Sequence, residues 1–176
     1  MLTAPTRYNK FYERKGTAWF EIYTLNFSQE DAHKVFNVEH ADDSVDIVCK
    51  VLDNEVKALG DSRRIFIGGF SAGGSLASHA WKAYKKPLGG LVLYSATSFR
   101  ALETAKEQEN SSVFWAHGLD DCLVPYKHCF YNNKALEDGK RRFVHIKRDG
   151  LGHGVDRVVE LETKRFLEDI MGLSKL

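Results

Sequence analysis

The stretch IFIGGFSAGGSLA, Ile65 to Ala77, sets Ser71 among four glycines, after a β-branched run and before an alanine-rich one. Ile65–Gly68 reads as a short apolar strand, and Ser75–Tyr84 as a small-residue helix that follows it. Gly69 and Gly73 stand two residues either side of Ser71, giving the pattern G-x-S-x-G between a strand and a helix. On such a turn the backbone two residues before and after the serine is too crowded for side chains, so both positions are glycine. Ser71 Oγ would project above the sheet, and the backbone N–H of Ala72 would point where a developing oxyanion sits, helped by the positive end of the helix dipole. The competing reading is a glycine-rich turn in which Ser71 caps the helix.

Around this segment, short apolar runs alternate with helical ones. From Asp43, Val45, Val48, Leu52, Val56 and Leu59 recur at helical spacing, and "ALGDSRR" (Ala58–Arg64) stops that helix at a glycine. Leu91–Tyr94, Val113–Ala116 and Phe143–Ile146 are three further runs of strand length. "FRALETAKEQEN", "HCFYNNKALEDGK" and "DRVVELETKRFLEDIMG" between and after them read as wholly or partly helical. The last carries Val155, Val159, Phe166, Ile170 and Leu173 on one side. This order predicts one α/β domain over residues 1–176, a mostly parallel sheet with helices on both faces. The aromatic segment "WFEIYTLNF" (Trp19–Phe27) alternates imperfectly and reads as loop or irregular strand.

A serine hydroxyl needs a base to take its proton and a third group to orient that base. After Val113–Ala116 comes "HGLDDCLVP", His117 to Pro125, in which the D-x-x-V-P spacing selects Asp121 over Asp120. Asp120 is then an exposed neighbour or a loop hydrogen-bonding partner; the plain alternative for Asp121 is an Asx-turn. Of seven histidines, His153 alone lies in a glycine-rich loop, "DGLGHGV", directly after the last strand. His145 sits inside that strand, and His117 at a strand end reads as loop scaffolding. The order Ser71, Asp121, His153 at successive strand ends is the argument for a Ser-His-Asp site.

Composition narrows the function classes. Twenty-five Lys+Arg against 24 Asp+Glu leave a net charge of +1, so bulk charge argues for neither nucleic acid nor an anionic membrane. The basic cluster "KRRF" (Lys140–Phe143) reads as a solvated turn opening a strand. No run approaches the roughly 18 apolar residues of a membrane span, and "MLTAPTRYNK" lacks a signal-peptide core. Cys49, Cys122 and Cys129 form no CxxC or Cys/His metal spacing, and no histidine pair has a ligand spacing, so the sequence predicts no metal site and a reduced, cytoplasmic protein.

On "RRIFIGGFSAGGSLA" (Arg63–Ala77), "HGLDDCLVP" (His117–Pro125) and "GLGHG" (Gly150–Gly154), with "TAPT" (Thr3–Thr6) and "WFE" (Trp19–Glu21) upstream, the chain resembles the acyl-protein thioesterase/carboxylesterase/phospholipase family of α/β-hydrolases. The resemblance implies Ser71 as nucleophile, Asp121 as acid and His153 as base, acting on carboxylic esters or thioesters such as lysophospholipids and S-acylated cysteines, without metal or cofactor. Two departures stand out. Ala72 occupies the position where the family commonly has glutamine, a change that keeps the backbone donor. The family's HG-rich loop, source of the second oxyanion N–H, has no counterpart, since the only HG pairs are His117-Gly118 and His153-Gly154. Loss of one such donor costs about 100- to 1000-fold in turnover. The chain is therefore expected to be a truncated α/β-hydrolase fold starting inside the domain. Its elbow strand would have an open edge, inviting a homodimer, replacement by "WFEIYTLNF", or aggregation.

The function expected is a serine esterase or thioesterase acting on a lipid, a small ester or an acylated protein. The alternative is a non-catalytic or impaired relative that binds an acyl ligand or a partner. A third reading keeps the hydrolysis but takes oligopeptidase-like or dienelactone-hydrolase-like substrates.

Overall fold

The computed structural model describes residues 2–10, 13–26, 32–98, 106–133, 136 and 142–172. Met1, Phe27, Leu173, the first two residues of "KRRF", most of "FRALETAKEQEN" and the end of "HCFYNNKALEDGK" lie outside them. In chain order the elements are strands β1 (Thr6–Asn9) and β2 (Arg14–Thr17), helices α1 (Ala32–Val35) and α2 (Val38–Leu59), strand β3 (Phe66–Phe70), helix α3 (Ala72–Ala83), strands β4 (Gly90–Tyr94) and β5 (Ser112–Gly118), helix α4 (Tyr126–Asn133), strand β6 (Phe143–Arg148) and helix α5 (Arg157–Ile170).

β3, β4, β5 and β6 form one parallel sheet in that spatial order, and β1 pairs with β2 as a separate antiparallel hairpin. Period-two geometry sends alternate residues of β5 to opposite faces. Val113 and Trp115 join a core with Leu76, Ala80 and Trp81 of α3 and Val48 and Leu52 of α2. Phe114 and Ala116 join a second core with Val159 and Phe166 of α5. Burial on both faces is why β4 and β5 read as continuous apolar runs rather than alternating ones. The predicted α/β class with helices on both faces is the observed architecture.

Boundaries differ from the sequence expectation where small or polar residues take core positions. α2 starts at Val38, capped by Asn37 Oδ1 on the His40 N–H at 3.0 Å, and buries Ala41 and Ser44 as well as Val48 and Leu52. Leu59, assigned to the buried stripe by its spacing, is exposed in the last turn. Gly60 ends the helix as expected, with φ 75° and its N–H on Val56 O. Val155 lies before α5 and is exposed, so the buried side of that helix is Val159, Thr163 and Phe166. "WFEIYTLNF" is irregular: Ile22 forms an isolated antiparallel bridge with Phe36, and Glu21 O accepts from Asn37 N at 2.8 Å. It does not replace a strand beside β3. Among the described residues, β3 has β4 as its one strand partner and leaves its other edge open, as the sequence predicts.

On β6, His145 stacks on Trp115 with ring centroids 3.9 Å apart. Burial first, then the charges of Lys147 and His117, push its pKa down to about 4 from an ordinary 6.5. His117 is shifted down as well, mainly by burial. Because the unfolded chain protonates both rings at higher pH than the folded one, their neutral packing supports stability above about pH 6.5, and the share of His145 is lost as pH falls toward about 4. Urea unfolding followed across that window should show falling stability in the wild type and a flatter profile in His145→Phe, which keeps the stack and removes the titrating group.

Candidate active site

Ser71 occupies the one-residue turn between β3 and α3 with φ 53° and ψ −124°, a backbone that costs about 1–3 kcal/mol for a residue with a side chain. Its surroundings hold it there. The Ser71 N–H donates to Tyr94 O at 2.9 Å, and its carbonyl accepts from Ser75 N at 2.9 Å and Ser75 Oγ at 3.2 Å. Ser71 precedes the first helical residue, yet its side chain makes no capping hydrogen bond, so the helix-cap reading of this serine does not hold. A Cβ on Gly69 would collide with the Gly73 carbonyl group, as expected for this turn. Gly73 itself is less constrained than the sequence suggests. A Cβ there would meet only Trp19 Nε1, at 3.7 Å, because the Gly73 carbonyl rather than its Cα hydrogens faces Gly69. The second position without room is Gly74, whose Cβ would lie 2.6 Å from Ala96 Cβ and from Gly69 O.

Ser71, Ala72 and His153 line one cavity of about 160 Å³, walled by Ile22, Leu25, Leu123 and Val124. Ala72 opens α3, so its N–H belongs to the first turn, where amides have no partner within the helix. Ile22 and Ala72 also border a larger cleft of about 490 Å³ that runs to the β1–β2 hairpin.

Behind His153 sits Asp121, its side chain fully buried, while Asp120 beside it is exposed. Asp121 divides its oxygens. Oδ1 accepts from Leu123 N at 3.0 Å and Val124 N at 2.8 Å, the Asx-turn offered as its plain alternative. Oδ2 takes His153 Nδ1 at 2.8 Å. The carboxylate therefore both shapes its loop and orients the imidazole. The sequence thus selected the aspartate that meets the histidine.

Two loops must approach for that bond to form. At the end of β5 a Cβ on Gly118 would collide with Leu151 O and lie 2.5 Å from Gly152 O, so glycine is what allows the contact. Leu119 N donates to Arg148 O and Asp120 N to Leu151 O across the same junction. Arg148 grips Asp156 Oδ2 through Nε at 3.0 Å and Nη2 at 2.6 Å, and Asp156 Oδ1 caps α5 at Val159 N, closing the loop that bears His153.

Two contributors, Ser95 and Phe70, have no part in the sequence expectation, and a third, His117, has the loop-scaffolding role expected of it. Ser95, one residue past β4 with φ 43°, donates from Oγ to Gly154 O at 3.2 Å and lines the Ser71 cavity. The Phe70 ring packs on His153 with centroids 4.7 Å apart. His117 meets the Asp121 loop from below. Ser95 was findable as the residue ending the strand beside the elbow. Cys129 makes a poor competing nucleophile, because burial pushes its thiol pKa up to about 12.

A strained serine between strand and helix shares one cavity with a carboxylate-braced imidazole at the C-terminal end of the parallel strands, the arrangement of the α/β-hydrolase class. Within that class the phospholipase/carboxylesterase family model matches residues 1–169, and the chain belongs to that family. A probable carboxylesterase of Oryza sativa subsp. japonica is 32% identical over 71% of this chain and 54% of its own length. Acyl-protein thioesterase 1 of Eremothecium gossypii is 28% identical over 87% of this chain and 66% of its own. The chain thus spans from about half to just under two thirds of these relatives. The crystal structure of Arabidopsis thaliana SOBER1 superposes with a TM-score of 0.83 at 20% identity, covering 96% of this chain and 81% of that one, a likeness of fold.

The junction at Gly118 gives a direct test. Gly118→Ala should cost about 1–3 kcal/mol by overpacking and lower the melting temperature by several degrees. Gly152→Ala, whose Cβ would lie 3.9 Å from Asp120 O, should melt like the wild type.

Proposed function

We propose that this protein is a serine hydrolase that cleaves carboxylic esters or thioesters, with Ser71 as nucleophile, His153 as base and Asp121 as the acid that orients it. The observation that carries this reading is the 2.8 Å hydrogen bond from His153 Nδ1 to Asp121 Oδ2. A proton on Nδ1 leaves the Nε2 lone pair free on the ring that shares a cavity with Ser71.

Ser71 Oγ attacks the acyl carbonyl while His153 Nε2 takes its proton. The carbonyl oxygen gains charge at the Ala72 N–H, at the positive end of α3. His153 then gives the proton to the departing alcohol or thiol as the carbon–oxygen or carbon–sulfur bond breaks, leaving an acyl-serine. A water, deprotonated by the same imidazole, releases the acid and restores Ser71. The apolar walls of the small cavity suit the acyl group. Names of relatives, a carboxylesterase and an acyl-protein thioesterase, support this ester or thioester class. The three free cysteines fit a reducing compartment, the cytoplasm.

A fluorophosphonate should label the wild-type protein, and Ser71→Ala should abolish labelling with the fold retained. Asp121→Asn should lower turnover of a short-chain ester by on the order of 10⁴-fold, as expected when the imidazole loses its tautomer. Folded wild-type protein that resists the probe, or Ser71→Ala that still reacts, contradicts the reading.

A further inference from the structure

His117 is fully buried at the end of β5, and the hydrolysis described above leaves it without a part. We propose that His117 is the positioning residue of Asp121: its Nε2–H fixes the Val124 carbonyl at 2.8 Å and lies 3.3 Å from the Asp121 oxygen that accepts from His153. The inference rests on the hydrolase reading, since it assigns a role within that site.

Asp121 Oδ1 already holds the N–H groups of Leu123 and Val124. By taking the Val124 carbonyl, His117 closes the same loop from its other side. Asp121 is then clamped at both ends of the Asx-turn, and Oδ2 stays aimed at His153. Both acceptors face Nε2, while Nδ1 has no hydrogen-bond partner among the described residues, so the ring is neutral with its proton on Nε2. An imidazolium would bury an unsatisfied N–H at Nδ1. Desolvation acts in the same direction, lowering the ring's basicity against the opposing pull of Asp121.

Each element packed on the ring agrees with a neutral state. Trp115 of β5 and Tyr126 of α4 meet it edge to face, with centroids 6.0 and 5.8 Å away. Cys129 of α4 puts its Sγ 3.9 Å from Nε2, and that thiol is itself held protonated by burial. From β6, His145 stacks on Trp115, and Lys147 lies over the Tyr126 ring. The remaining titratable groups facing His117 are Asp121, the one carboxylate in contact with it among the described residues, and the more distant His153 and His145, with Lys147 acting on His145.

A purely structural histidine and a positioning one differ in what their loss changes. His117→Phe keeps the aromatic packing and removes the donor. On p-nitrophenyl butyrate, corrected for the folded fraction by circular dichroism, it should lower kcat by about 10- to 100-fold, the range typical for a group that orients a functional side chain. KM should stay close to the wild-type value. His117→Gln, whose amide N–H takes the place of Nε2–H, should recover most of the loss. A folded His117→Phe with wild-type kcat, or a loss that His117→Gln does not recover, overturns the proposal. In the wild-type protein near neutral pH, ¹⁵N NMR should find His117 neutral and protonated on Nε2; a proton on Nδ1 overturns it without any variant. Absence of wild-type turnover contradicts the hydrolase reading instead, and the tautomer of His117 in that sample still decides whether it donates to the Asp121 loop.

Discussion

The hydrogen bond between His153 and Asp121 joins two loops whose residues are 32 apart in sequence, and the local structure on both sides is arranged around it. Asp121 can reach His153 only because its loop is pinned from within, by Leu123 and Val124 on its other oxygen, and from beneath, by His117 on the Val124 carbonyl. His153 can reach Asp121 only because Gly118 lets the end of β5 pass against Leu151 and Gly152. A buried carboxylate is costly unless its lone pairs are used, and Asp121 uses both oxygens.

Strain and its restraints are concentrated at the same end of the sheet. Ser71 and Ser95 both have positive φ, both sit directly after parallel strands, and both border one cavity. The ladder holds them: Ser71 N–H to Tyr94 O, Ser95 N–H to Ala116 O, each strand end gripping the next. The two apolar cores lock that ladder from either face, which is how a four-stranded sheet supplies a rigid floor for a side chain in an unfavourable conformation.

Fold and site were legible in the sequence to different depths. β4 and β5 announced themselves because burial on both faces leaves an uninterrupted apolar run, and the candidate residues Ser71, Asp121 and His153 stood out because each follows a strand at a turn with a distinctive composition. Hydrophobic spacing failed where the core accepts small or polar residues, as at Ala41 and Ser44, and it placed Leu59 in a stripe that solvent covers. Gly73 matched the pattern, but the crowded backbone belongs to Gly74, a distinction set by the direction of a Cα–Cβ bond that no spacing records. Phe70 acts through a tertiary contact alone, Ser95 is marked in sequence only by its place after a strand, and His117 by its place before the Asp121 loop. His117 sits only four residues before Asp121, yet its partners are fixed by the fold of the loop between them.

Whether His153 can serve Ser71 as a base depends on which ring nitrogen carries the proton when the imidazole is neutral. A ¹H–¹⁵N NMR correlation of the histidine rings in the wild-type protein measures this directly. The geometry predicts a proton on Nδ1, shielded from exchange by Asp121, with Nε2 unprotonated toward the Ser71 cavity. A neutral His153 protonated on Nε2 would leave Ser71 without a base and contradict the account.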